Sequence, residues 1–228
     1  VEGKDLFVEN DYVYMKTVKG KLKVDCIYRR LDDTFLDPKV FNKNSLIGVP
    51  GLFKCWKKGN VGIINALGTG VADDKAVYSY VNKMIVYYLG EQPILNQVET
   101  FLCEDKVHRQ HVIENISKLV VKPANASGGY GIMIGPKAPK KEREEVIKKI
   151  KKNPRDFVAQ PLEILSTTPT ISENGIEPRH LDLRPFVLNG KSTYVTTGGL
   201  TRVALRKGST IVNSSQGGGS KDTMVVDT

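Results

Sequence analysis

The chain has 228 residues, 40% of them hydrophobic and 26% charged, the balance of a water-soluble globular protein with core enough for one large domain or two small ones. No apolar run approaches the roughly 20 residues of a membrane-spanning helix, so no membrane partner is expected. Cys26, Cys55 and Cys103 lie too far apart for a Cys-x-x-Cys pair or a zinc set, which excludes a disulfide scaffold and points to reduced thiols in the cytoplasm.

The net charge of +9 invites a nucleic-acid partner. Much of the excess, however, sits at 137–155, where the pattern is that of one amphipathic helix with Val146, Ile147 and Ile150 inward and the lysines solvated. No aromatics interleave with these lysines, as a single-strand binder requires, and nucleic acid is excluded.

In chain order, 6–9 and 13–18 read as strands around an Asn10-Asp11 turn, and 24–30 as a further strand. That strand ends in Arg29 and Arg30, followed by Asp32, Asp33 and Asp37. Two arginines can clamp a substrate carboxylate while aspartates receive an amine; a self-satisfied Arg–Asp network explains the same residues equally well. A buried-type strand at 61–67 ends in Gly68-Thr69-Gly70, and a helix at 73–89 follows. This order predicts an α/β unit with a ligand-facing turn. A helix at 105–115 opens the second part, so the expected division is an α/β substrate-side domain at 1–104 and an α+β nucleotide-binding portion at 105–228.

The segment 119–134 is the most informative. An apolar run carries Lys122 and Pro123 at its end, Ser127-Gly128-Gly129-Tyr130-Gly131 form a turn, and a second apolar run returns. Glycines let the backbone approach a ligand, and successive N–H groups in such a turn cradle anions. The lysine precedes the glycines, so this is no Walker loop, and a strand follows where the Rossmann fingerprint needs a helix. Taken alone, an ordinary hairpin turn accounts for it too. A strand at 156–164 then carries Gln160, Leu162 and Glu163, and the Thr/Pro/Ser/Gly-rich stretch 166–178 reads as a mobile loop. Beyond it come a strand from His180 with Asp182 and Arg184, an Asn189-Gly190 turn, a return strand with Thr201 and Arg202, and the phrase from Asn213 through Gly217, Gly218 and Gly219 to Asp222. The histidines have no nucleophilic partners, and there is no Gly-x-Ser-x-Gly elbow.

This ordering of apolar-Lys-Pro, glycine loop, hinge strand, Asp-x-Arg strand, arginine and Asn/Gly-Gly segment resembles the ATP-grasp superfamily. The phrases at 29–38, 59–71 and 214–223 resemble its circularly permuted type 2 branch, a bacterial family of poorly defined function, over nearly the whole chain. The resemblance implies a mixed α/β and α+β, permuted ATP-grasp-like fold and a carboxylate–amine ligase that works through an acyl phosphate on an amino acid or small peptide. By the same resemblance, Lys122 contacts the adenine and α-phosphate of ATP, and the loop Ser127 to Gly131 covers the other phosphates. The backbone about Gln160 and Leu162 pairs with adenine, and Glu163 takes the ribose. Arg184 and Arg202 steady the transferring phosphoryl, while Asn213, Gly217 and Gly218 line the acceptor pocket. The two Mg²⁺ ions of such enzymes need an Asp and a Glu-x-Asn pair, expected upstream of Val1. Val8-Glu9-Asn10 imitates that motif with the wrong spacing. The chain therefore reads as a piece of a longer protein, inactive on its own. A non-catalytic nucleotide-binding scaffold and a kinase-like phosphotransferase are the competing functions.

Overall fold

A computed structural model describes residues 1–126, 130–209, 212 and 217–224. They form two compact units, Val1–Val81 and Asn82–Thr228.

In the first unit, β1 (Leu6–Glu9), β2 (Tyr12–Thr17) and β3 (Gly20–Lys23) make an antiparallel meander. Asn10 and Asp11 join β1 to β2 with φ of 50° and 64°, the left-handed pair that a two-residue hairpin of matching twist demands. Asp11 also holds the ammonium groups of Lys54 at 2.7 Å and Lys58 at 2.5 Å. Those lysines lie in and just after α2 (Leu52–Lys57), so the turn is tied to that helix. A second, parallel pair joins β4 (Cys26–Tyr28) to β5 (Gly62–Ile64), with the short α1 (Asp33–Leu36) between them in sequence. Val13, Leu36, Val49, Leu52, Cys55, Val61 and Ile63 form the core. Asp37 is fully buried. Its carboxylate accepts from the backbone N–H of Lys39, Gly51 and Phe53 at 2.9–3.1 Å, which satisfies donors at the start of α2 that no intrahelical carbonyl can reach.

The expected strand at 61–67 is only three residues long. Ile63 is buried while Gly62 and Ile64 face outward, because β5 has one sheet neighbour and one packed face. The expected helix at 73–89 is divided. A 3₁₀ turn at Thr69–Asp73 and α3 (Lys75–Tyr78), capped by the Asp74 carboxylate, precede α4 (Val81–Leu89). Ser79 Oγ donates back to Ala76 O at 2.7 Å at the break, the local bond by which serine competes with a continuing helix.

The second unit holds a sheet of order β6-β9-β7-β8, with β6 at Phe101–Leu102, β7 at Leu119–Pro123, β8 at Met133–Ile134 and β9 at Phe157–Pro161. The expected boundary after residue 104 falls inside this unit, since β6 pairs with β9. Helices α5 (Lys106–Glu114) and α6 (Lys140–Lys152) pack on one sheet face. There Val112 and Ile150 meet Leu119, Val121, Met133, Ala159 and Cys103, with Val146 and Ile147 at the margin. The helix read within 137–155 forms at Lys140–Lys152 and buries the face its periodicity predicts. Asp105 caps α5 by accepting from Val107 and His108 N–H at 2.8 and 2.9 Å.

A second, antiparallel sheet runs β10-β11-β12-β13, with β10 at Thr167–Ser172, β11 at Gly175–Asn189, β12 at Thr193–Val203 and β13 at Gly219–Asp222. The stretch 166–178, expected as a mobile loop, is therefore mostly a hairpin. Thr167, Thr168, Thr170 and Ile171 are β-branched. Pro169 faces Pro178 at a non-hydrogen-bonded pair of the ladder, as the bond from Leu181 N–H to Ser166 O three pairs away fixes, so neither missing N–H deprives a partner of its bond.

Burial pushes the Cys103 thiol up to about 11 and raises that of Cys55, whereas Cys26 is exposed. Among the described residues no helix is long and apolar enough to cross a membrane. Because Ile150 is fully buried among the helix–sheet contacts, Ile150→Ala should lower stability in urea titrations by about 3 kcal/mol.

Candidate functional site

The β7/β9 register sets Val120 opposite Gln160 and Lys122 opposite Val158. Alternation then puts Leu119, Val121 and Ala159 on the helix-covered face and Lys122 and Gln160 together on the other. Diagonal neighbours on one sheet face lie within reach of long side chains, and Lys122 Nζ donates to Gln160 Oε1 at 2.6 Å. Gln160 is 9% exposed, and its Nε2 donates to Thr100 Oγ1 at 2.8 Å. Thr100 donates in turn to Val98 O at 3.0 Å. Thr100 carries no motif, and it lies 60 residues from Gln160, so sequence reading missed it.

Of the expected phosphate loop, Ser127, Gly128 and Gly129 lie outside the described residues. Tyr130 is exposed. Gly131 takes φ of 71°, and a Cβ there would stand 3.0 Å from the Pro123 ring, so this turn requires glycine on conformation and on space. Leu162 and Glu163 fall just past the end of β9, Leu162 half-buried and Glu163 exposed.

The second sheet brings together the two arginines expected to meet the phosphoryl group. Asp182 stands opposite Arg202 and Arg184 opposite Leu200, so Asp182, Arg184 and Arg202 share one face of the β11/β12 pair. Arg202 grips Asp182 with two nitrogens, Nε to Oδ1 at 2.8 Å and Nη2 to Oδ2. That hydrogen bonding holds the Asp182 carboxyl below the usual range and raises the Arg202 guanidinium. Arg184 is exposed. On the next strand Ser220 lies opposite Arg202 and Gly219 opposite Val203, which sets the Gly217-Gly218 turn beside the arginine's strand. Gly217 takes φ of 81°. Asn213 lies outside the described residues.

A further charged group, unforeseen in the sequence because Ser172 and Glu177 fell in the supposed loop, fastens β10 and β11 to the segment after β12. Arg179, 5% exposed, donates to Leu205 O at 3.1 Å, Pro178 O at 3.2 Å and Glu177 Oε2 at 2.7 Å. Lys207 and Ser172 also bond Glu177, at 2.8 and 2.9 Å. Hydrogen bonds from Lys207, then Arg179 and Ser172, hold the Glu177 carboxyl at about 2.

In the first unit the arginine pair divides. Arg29 crosses from β4 to the chain after β5. Its Nε donates to Asn65 O at 2.7 Å, Nη1 to Leu31 O at 2.7 Å and Nη2 to Ala66 O at 2.9 Å, and Nη2 pairs with Asp33 at 2.5 Å. Asp33 accepts from Gly68 N–H at 2.9 Å, and Asp32 caps α1 through Thr34 N–H at 2.9 Å. Arg29, Asp32 and Asp33 thus spend their bonds on the fold. Arg30 is exposed and lines a concavity of about 350 Å³ with Tyr28, Leu46, Ile47 and Leu52. Among the described residues no three His, Cys, Asp or Glu side chains gather as a metal set would.

Residues 1–204 match the family model for circularly permuted ATP-grasp type 2 proteins, and the chain belongs to that family. An uncharacterized protein of Synechocystis is 54% identical over 99% of this chain and 47% of its own length. One from Mycobacterium tuberculosis is 52% identical, again over 99% of this chain and 41% of its own. A Frankia casuarinae protein named "Putative glutamate--cysteine ligase 2-2" is 46% identical over 99% of this chain and 26% of its own length. The chain therefore spans less than half the length of these relatives.

The two arginines should behave differently in urea titrations. Arg29→Ala, removing a side chain that is 10% exposed, should cost about 3 kcal/mol because it strands three carbonyls and Asp33. Arg30→Ala should change stability by less than about 0.5 kcal/mol.

Glu177 sets an acid limit. Between its ordinary value of 4.5 and its folded value of about 2, the unfolded chain takes up a proton that the folded protein refuses. Its contribution is therefore complete above about pH 5 and is lost as pH falls towards 2. The stability gap between wild type and Glu177→Gln, followed by circular dichroism, should close over that interval.

Proposed function

We propose that the protein is an ATP-dependent carboxylate–amine ligase acting on an amino acid or small peptide. The observation that carries this reading is Lys122 at the foot of a hairpin whose turn requires glycine at 131, held by a neutral amide, within a family named for ATP grasping. At this contact the neutral Gln160 amide orients the lysine without cancelling its charge, as a carboxylate would. The ligase name of the Frankia relative supports the reaction class.

In this reading a substrate carboxylate oxygen attacks the γ-phosphorus and ADP leaves. The amine then adds to the acyl carbon, and phosphate leaves as the amide forms. Charge accumulates on the transferred phosphoryl oxygens, so the protein works mainly by placing cations and excluding water. Lys122 and the loop 127–131 hold the nucleotide phosphates. The backbone around Gln160 and Leu162 meets the adenine edge, and Glu163 meets the ribose. Arg184 and Arg202 take the phosphoryl and the tetrahedral intermediate, with Asn213, Gly217 and Gly218 at the acceptor. For a substrate carboxylate in the first unit, Arg30 is the available clamp, since Arg29 is committed to carbonyls and Asp33. Magnesium belongs to this chemistry in the family, but the described residues do not fit a metal centre, and no step assigned here runs through one. The free thiols favour a reducing, cytoplasmic setting.

A nucleotide-binding module without catalysis is the second reading. It is favoured by the closed Asp182–Arg202 pair, which neutralises a cation that phosphoryl transfer would use.

Calorimetric titration of MgATP into the full-length protein tests nucleotide binding. Lys122→Ala should weaken binding at least about tenfold, the scale of a lost charge-assisted contact. Incubation with ATP and amino acids, read by mass spectrometry, should give an amide and ADP. Nucleotide binding with no amide product would favour the module instead.

A further inference from the structure

The contacts between Lys122, Gln160 and Thr100 have a direction, and their first member sets it. An ammonium group offers donors only, so the atom 2.6 Å from Lys122 Nζ must be the amide oxygen, Gln160 Oε1. The amide NH₂ is then turned to Thr100 Oγ1, 2.8 Å away, and that oxygen must accept. Thr100's own proton goes to the Val98 carbonyl at 3.0 Å. A hydroxyl accepts and donates at once, as this place requires. A reversed amide would set NH₂ against NH₃⁺ around a side chain that is 9% exposed, where little water can relieve the conflict.

The backbone makes the encounter possible. Phe101 and Leu102 of β6 pair with Ala159 and Val158 of β9, so Thr100, one residue earlier, comes level with Gln160. The start of the edge strand thus delivers a hydroxyl to the lysine's face.

From this geometry we infer that Thr100 is a positioning residue of the nucleotide site. By accepting from Gln160 and donating to Val98, its hydroxyl keeps the Gln160 carbonyl turned to Lys122. The ammonium is thereby held at the base of the glycine hairpin. Thr100 touches no nucleotide; it acts through Gln160. The inference rests on the reading of Lys122 as a phosphate-binding cation, and the test separates the two.

Thr100→Val, Thr100→Ala and Thr100→Ser in the full-length protein are compared by two measurements. One is the affinity for MgATP by calorimetry. The other, without nucleotide, is the rate at which acetic anhydride labels Lys122, read by peptide mass spectrometry. Valine and alanine should each weaken MgATP binding about tenfold, the effect of one buried donor left unmatched, and should speed labelling of Lys122 severalfold. Serine, which keeps the hydroxyl, should stay within about twofold of wild type on both measures. The inference is overturned if valine and alanine leave labelling unchanged, or if serine behaves as they do, because retaining the hydroxyl would then not suffice to hold Lys122. Should wild type fail to bind MgATP while labelling still follows the hydroxyl, the nucleotide reading falls and the hold of Thr100 on Lys122 stands.

Discussion

From Leu119 opposite Pro161 to Pro123 opposite Phe157, β7 and β9 pair without a break, and each residue has only two directions in which to point. One direction is claimed by Leu119, Val121 and Ala159, which meet α5 and α6. The other is left to Val120, Lys122, Val158 and Gln160. A slip of one residue would drive a lysine into the helix–sheet core and expose the residues that now hold it together, so the burial of one face fixes the chemistry of the other. The lysine's position is thus enforced by packing on the side it does not touch.

A few enclosed charged side chains in both units join distant stretches of backbone. Arg29 links the ends of two parallel strands through carbonyls that the sheet leaves open. Arg179 reaches across 26 residues to Leu205 O, and the enclosed Asp37 receives backbone donors at the start of α2. In each case a formal charge is matched by several polar partners, for Asp37 the N–H groups of Lys39 beside it and of Gly51 and Phe53 at the start of α2, the condition under which burying it is tolerable. Arg184, exposed on the face it shares with the Asp182–Arg202 pair, and Arg30, exposed at its concavity, stand apart from that pattern. In them the positive charge is not consumed by the fold.

The features legible in the sequence are those whose cause is local. The Asn10-Asp11 turn, the helix that begins at Asp105, the α6 stripe and the Lys122 hairpin each declare themselves within a few residues. What was illegible depends on neighbours remote in the chain. Val61 to Leu67 has the composition of a buried strand, but only a three-residue strand forms because β4 is its one sheet neighbour. The hairpin of β10 and β11 hides behind threonine and proline, which read as loop until each proline is seen to face the other. Arg29 and Arg30 are identical in type and adjacent, and only the positions of Asn65, Ala66 and Asp33 tell them apart. Arg184 and Arg202 were found as a pair, while Asp182, between them on the same face, took its meaning from the register.

The three thiols differ in a way that has a practical use. Cys55 and Cys103 are buried with their thiols pushed up, so few thiolates form and reagents cannot reach them, whereas Cys26 lies open on β4. Among these three, a maleimide dye or spin label has one place to attach. That place is in the unit of Val1–Val81, while Lys122 belongs to the other. The natural sequence thus carries an attachment point for fluorescence or resonance spectroscopy of its first unit, with no engineered cysteine required.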